Sequence, residues 1–174
     1  MSFFIDKFEI WSPQEAEACF GAYSQYLESI KNSIPASAFE FAVATWHYQH
    51  DDHRCPHDGW VEHVKIWESA SGDRKQHRKI QIDLRLLGAF HDGCLDLCYK
   101  NVGSYRLNAQ PRGEPRRSAH VGHGDWLIDE IRLSDNGLVL HEILFSSRGR
   151  WLIEAADISS EWKPFEVKVG AVRE

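Results

Sequence analysis

Four histidines, His47, His50, His53 and His57, fall between Trp46 and Trp60, among Asp51, Asp52, Asp58 and Cys55. Imidazole, thiolate and carboxylate are the donors from which proteins build tetrahedral zinc sites. Three or four of these side chains converging from a single loop would hold Zn; singly they would serve as general acid or base. The spacing matches no zinc finger, because there is no second cysteine knuckle and no His-Glu-x-x-His helix. The same residues also read as a polar turn, in which Pro56 and Gly59 shape the chain and the aspartates satisfy backbone amides. On that reading Trp46 and Trp60 anchor the two ends of the loop in the core.

A second acidic and histidine-bearing group consists of His123, Asp125, Glu130, His141 and Glu142. Asp129 and Glu142 fall on the otherwise aliphatic face of Leu127, Ile131 and Leu140. Buried carboxylates are unusual and mark candidate ligand-binding positions. Near a strand end the same groups reach solvent as ordinary ion pairs, and this is the favoured expectation. A third group, Arg112, Arg116 and Arg117, lies in a loop at 109–124 with Pro111 and Pro115. It could clamp an anion or an acidic partner. Without a glycine-rich strand-to-helix context it forms no nucleotide cradle, and a mobile basic excursion is expected.

Two further constellations carry less. His57-Asp58 and His91-Asp92 resemble the dipeptide of metal phosphohydrolases only by letter, since that chemistry needs a helix and Asp92-Gly93 marks a turn. Cys94 and Cys98 share a strand face but sit about 13 Å apart at roughly 3.3 Å per residue, too far to chelate one ion. His91 beside Cys94 at a sheet end lacks the cleft and the orienting third group of a nucleophile pair.

The elements that must position these groups read as follows. Ser12, Pro13 and Glu15 form a capping box. Ala16, Phe20, Tyr23, Leu27, Ile30 and Ile34 then recur at helical spacing up to Pro35, giving a helix over 13–34. Before it, Phe3, Phe4, Ile5, Phe8 and Ile10 suggest a short apolar strand. Phe39 to Trp46 alternates as a strand. Strands follow at 60–68 and 79–87, the second with Ile80, Ile82, Leu84 and Leu86 inward. Asp92-Gly93 as a two-residue turn would pair Leu86 with Tyr99 and Gly88 with Leu97. Asp125 to Leu133 and Leu138 to Phe145 form a hairpin about Asn136-Gly137. Its register pairs either Glu130 or Arg132 with His141. A strand from Arg150 to Ile158 breaks at Glu161-Trp162-Lys163-Pro164, and Phe165, Val167 and Val169 suggest a last edge strand.

The expected architecture is one α+β domain: an N-terminal helix packed on a strongly curved antiparallel meander of seven to nine strands, half-barrel or barrel-like. At 174 residues the chain can bury a sizeable core. A net charge of −6 argues against nucleic acid and suits a basic protein partner. No apolar run suits a membrane span, no secretory leader is evident, and four scattered cysteines read as reduced thiols. The leading expectation is a small cytoplasmic, bacterial, non-catalytic binding domain for a protein partner, in the manner of an immunity protein or a regulatory domain. The alternative is a metal-dependent enzyme or small-ligand-binding protein that uses the His-rich loop 47–57.

Overall fold

The computed structural model describes residues 2–6, 12–109 and 122–166. Among them are two helices, α1 (Pro13–Ile30) and α2 (Ala36–Ala42), and six strands. The strands are β1 (Trp60–Ser71), β2 (His77–Leu87), β3 (Gly93–Leu107), β4 (Trp126–Leu133), β5 (Val139–Phe145) and β6 (Arg150–Pro164). They form one antiparallel sheet in the order β1-β2-β3-β6-β5-β4. The α+β class is as expected. The described residues hold six strands rather than seven to nine, and the sheet stays open, with β1 and β4 as its edges.

The capping box forms as read. Glu15 N–H donates to Ser12 Oγ at 3.3 Å, and Ser12 N–H donates to Glu15 Oε2 at 2.8 Å. The helix stops at Ile30, one turn earlier than the apolar spacing suggested, where Ser33 N–H closes a turn onto the Ile30 carbonyl. Tyr23, Leu27 and Ile30 bury against the sheet, and Ile34 follows in the next turn.

Phe39 to Trp46 is not a strand. Its alternation of Phe39, Phe41 and Val43 is outweighed by Ala36, Ala38 and Ala42, strong helix formers that follow Pro35 at the N-cap. In the short helix α2, Ala38, Phe39, Phe41 and Ala42 all bury, whereas Val43 stays exposed. The segment at 3–6 is likewise bend and turn rather than strand. Phe8, Ile10, Val167 and Val169 lie outside the described residues.

Between β2 and β3 the register differs from expectation, because period-2 patterning fixes the face but not the pairing. Leu86 pairs with Leu95 and Leu84 with Leu97, four residues from the expected partners. The turn is Gly88 to Asp92, with His91 in left-handed conformation (φ 56°), so the two-residue Asp92-Gly93 reading fails. An even slip keeps Ile82, Leu84, Leu86, Leu95, Leu97 and Tyr99 on the inner face, where all are buried. In the later hairpin Ile131 pairs with His141 and Glu130 with Glu142, midway between the two registers considered. Ser134 N–H bonds the Leu138 carbonyl at 2.8 Å, which makes the loop one residue longer than Asn136-Gly137 implied. β6 runs through Trp162 and Lys163 to Pro164, opposite Gly93 of β3, instead of breaking. No helix among the described residues is long and apolar enough to cross a membrane.

The free edge of β4 is covered by tyrosines. Tyr48 Oη–H donates to the Asp129 carbonyl at 2.9 Å. Tyr23 Oη accepts from Ile131 N–H at 2.7 Å and faces the Ile131 carbonyl at 3.1 Å. Leu133 N–H donates to Tyr26 Oη at 2.8 Å. Residues 129, 131 and 133 are the outward-facing backbone positions of this edge, so three hydroxyls stand where a further strand would pair. Burial pushes the Tyr23 phenol well above its ordinary range, and it stays protonated. Tyr23→Phe leaves a buried amide and carbonyl without their partner. The expected cost is about 1–3 kcal/mol in urea unfolding; a loss below about 0.5 kcal/mol would contradict this role for the hydroxyl.

Candidate functional site

The connection at 43–59 joins α2 to β1 through successive turns, and it is pinned to the start of β4. Asp58 N–H donates to the Trp126 carbonyl at 2.8 Å, and Trp126 N–H donates to the Gly59 carbonyl at 3.0 Å. Gly59 lets the end of the connection pack closely on β2, because a Cβ there would lie 2.9 Å from the Leu86 side chain and from the Pro56 carbonyl. Trp46 is half-buried, under the Arg54 guanidinium at 5.6 Å from the ring centroid. Trp60 does not anchor in the core as expected: it is 49% exposed, with its indole N–H on Asp125.

His47 leaves the loop and enters the interior, where it meets Asp129 of β4. Its Nε2–H donates to Asp129 Oδ1 and Oδ2 at 3.0 and 2.9 Å, and its Nδ1–H donates to the Phe41 carbonyl at 2.8 Å. Acceptors face both ring nitrogens, so both carry protons and the ring is an imidazolium. Burial opposes that charge, yet the Asp129 carboxylate beside it outweighs burial and raises the His47 pKa. Burial likewise opposes ionisation of Asp129, and the two histidines override it, leaving its pKa well below the usual carboxylate range.

Two more donors complete the carboxylate shell. His141 Nε2–H reaches Asp129 Oδ2 at 2.9 Å, and Trp126 Nε1–H reaches Oδ1 at 3.0 Å. His141 Nδ1 is 2.8 Å from Tyr99 Oη. Burial holds the Tyr99 phenol far above its ordinary range, so Tyr99 donates and the Nε2–H tautomer of His141 satisfies both contacts. Side chains from α2's exit turn, β3, β4 and β5 therefore meet in one network at 0–1% exposure with its hydrogen bonds made. Phe41 flanks both imidazoles, at ring-centroid distances of 4.4 and 5.7 Å.

Beside this network lies a cleft of about 260 Å³ between α1, the 43–59 connection and β4. Ala16, Phe20, Pro56, Leu127 and Ile128 supply an apolar wall; His47, Tyr48, Trp126 and Asp129 border it from the interior, and His50 and His57 also line it. The His50 and His57 rings stack at 4.0 Å. Burial, then His50, lowers the His57 pKa against the pull of Asp58, which favours the neutral ring at neutral pH.

The four loop histidines thus divide. His47 is committed to Asp129, His53 reaches the exposed Asp92 across the β2–β3 turn, and His50 and His57 pair with each other. Among the described residues no group of three or more His, Cys, Asp or Glu is arranged to hold a metal ion. Glu130, His141 and Glu142 do not reach solvent as favoured; they are 0%, 0% and 5% exposed. Only His141 belongs to the network. Glu130 Oε2 accepts from Phe3 and Phe4 N–H at 2.9 and 3.0 Å and ties down the N-terminal turn. Arg132 bridges Glu130 and Glu142, while Arg150 joins Glu142 to Asp6. Burial raises the Glu142 pKa, offset in part by Arg132.

His123 packs on Trp151 and Phe145, and Asp125 accepts from Trp60 and Ser146, outside the cleft. Arg112, Arg116 and Arg117 lie outside the described residues. Burial pushes the Cys55 and Cys94 thiols up to about 11, so neither is a thiolate at neutral pH. Sequence reasoning missed Tyr99 and Trp126 as members of the network. The available signal was Asp129 itself, a carboxylate within the apolar run from Trp126 to Ile131, which demands several donors from elsewhere. No family model, no curated protein and no solved structure matches this chain, so the geometry alone carries the reading of the site.

Proposed function

We propose that the chain is a small-molecule-binding protein whose site is the cleft between α1, the 43–59 connection and β4. Of the two expectations raised by the sequence, this is the one that uses the His-rich loop. The observation that carries it is the combination of an apolar wall with convergent polar groups of unusual protonation. Ligand sites typically have that composition. A volume of about 260 Å³ suits a ligand of one or two rings. Phe20 offers aromatic surface to it, with the buried Trp126 behind the wall, and Pro56, Leu127 and Ile128 complete the apolar lining.

The His47–Asp129 pair gives the inner wall its rigidity. Its ring nitrogens and carboxylate oxygens already have partners, so it contributes fixed charge and position more than free hydrogen bonds. His50 and His57 remain as the groups that can address a ligand.

The test is a panel of one- and two-ring aromatic compounds, screened by saturation-transfer NMR on the full chain and on Leu127→Trp. Leu127 lines the cleft and is half-buried, so an indole there fills the space. Saturable binding in the micromolar-to-millimolar range, lost at least tenfold in Leu127→Trp, is the expected result. Absence of any saturable binder, or binding indifferent to the substitution, would overturn the reading.

A further inference from the structure

His57 and Asp58 stand out once the cleft is accepted as the binding site. His57 Nδ1 lies 3.2 Å from Asp58 Oδ2. A carboxylate at that distance favours the Nδ1–H tautomer and leaves the lone pair on Nε2. No hydrogen-bond partner holds Nε2 among the described residues, although the ring lines the cleft. The pair is held in place from the backbone. Asp58 adopts a left-handed conformation (φ 61°), which Asp tolerates better than most residues, and its N–H is fixed to the Trp126 carbonyl.

We infer that the His57–Asp58 pair is the polar recognition element of the cleft, with His57 Nε2 accepting a hydrogen bond from a neutral hydroxyl on a one- or two-ring apolar ligand. This rests on the cleft being a binding site. The other groups around it exclude the alternatives. His47 and Asp129 have their hydrogen bonds made within the protein, and Tyr48 Oη donates to the Asp129 carbonyl. His50 stacks on His57 at 4.0 Å and, after burial, is the next cause that lowers the His57 pKa. Asp58 and Asp125 act on the ring with negative charge, while the charge of Asp129 is matched by His47, so a carboxylate is disfavoured beside His57 and a neutral donor is the fitting ligand group.

The test compares 4-methylphenol with toluene, which differ by the hydroxyl, using calorimetry on the full chain and on His57→Phe and Asp58→Asn. Asn also tolerates the left-handed backbone, so the second variant keeps the turn. One hydrogen bond of ordinary strength corresponds to a preference of about fivefold. The expected result is that 4-methylphenol binds about fivefold or more tightly than toluene, that His57→Phe removes the preference, and that Asp58→Asn reduces it. The preference is read as the ratio of the two affinities within each variant, so a change in the apolar wall that affects both compounds alike cancels. If the two compounds bind the wild type equally, if the preference survives in folded His57→Phe, or if it is undiminished in folded Asp58→Asn, the acceptor role is overturned and the cleft stands. If neither compound binds the wild type, the binding site itself is overturned along with it.

Discussion

Replacing Asp129 with alanine is expected to destabilise the fold by about 3–5 kcal/mol, the range for removing one partner of a buried ion pair. The substitution leaves the His47 imidazolium in the interior without its counter-charge, and strips the His141 and Trp126 N–H donors of their acceptor. Asp129→Asn should be nearly as damaging, since its amide nitrogen would face donors where an oxygen now accepts. Urea unfolding followed by circular dichroism measures both. A loss below about 1 kcal/mol would mean that the pair is not ionised and buried as described.

The same pair sets a pH signature. Asp129 has its folded pKa depressed, so its contribution is present above the unfolded value of about 3.9 and is lost as pH falls. His47 has its folded pKa raised, so its contribution is full below the unfolded value of about 6.5 and is lost as pH rises through the folded value. The difference in stability between wild type and Asp129→Ala should therefore be greatest between about pH 4 and 6.5. A difference that is flat from pH 4 to 9 would contradict the imidazolium assignment.

Trp126→Ala is expected to cost about 3–5 kcal/mol, as for other large aromatic truncations in cores. Trp126 is fully buried, edge-on to Phe145 at 5.7 Å, and its indole N–H is one of the donors to Asp129. Because the indole also borders the cleft, the alanine variant should enlarge the site and shift its preference toward larger ring systems. Trp126→Phe separates the two effects: it keeps most of the packing and removes only the N–H. Its expected cost is about 1–3 kcal/mol. Equal costs for Phe and Ala would place the whole effect in the hydrogen bond.

Much of the sheet was legible in the sequence because alternation reports a face directly. Ile82, Leu84 and Leu86 turn inward as their spacing says, and their partners on β3 share that face despite the slipped register. Pairing of β2 with β3 was not legible, since a slip of four residues leaves the same side chains inside. The turn type was misread because Asp92-Gly93 closes a longer loop whose left-handed residue is His91. Helix α2 was lost because its aromatic positions mimic alternation over too few residues for helical periodicity to show.

The site was half legible. The histidines stand out as a cluster in the sequence, two of them line the cleft, and the carboxylate at 129 sits conspicuously in an apolar strand. Their meeting was invisible, because His47 and Asp129 are brought together only when the 43–59 connection is pinned to β4. Tyr99 and Trp126 gave no signal at all, since each reads as an ordinary core aromatic.

The most direct test of the binding cleft is a titration of the nitrogen-15-labelled chain with 4-methylphenol, followed by two-dimensional NMR. The expected result is a saturable shift of the Trp126 indole N–H together with the amides of Tyr48, His57, Leu127 and Ile128, all around the cleft. Saturable shifts confined to the polar groove on the sheet, lined by His63, Asp83, Arg85 and Lys163, would contradict it.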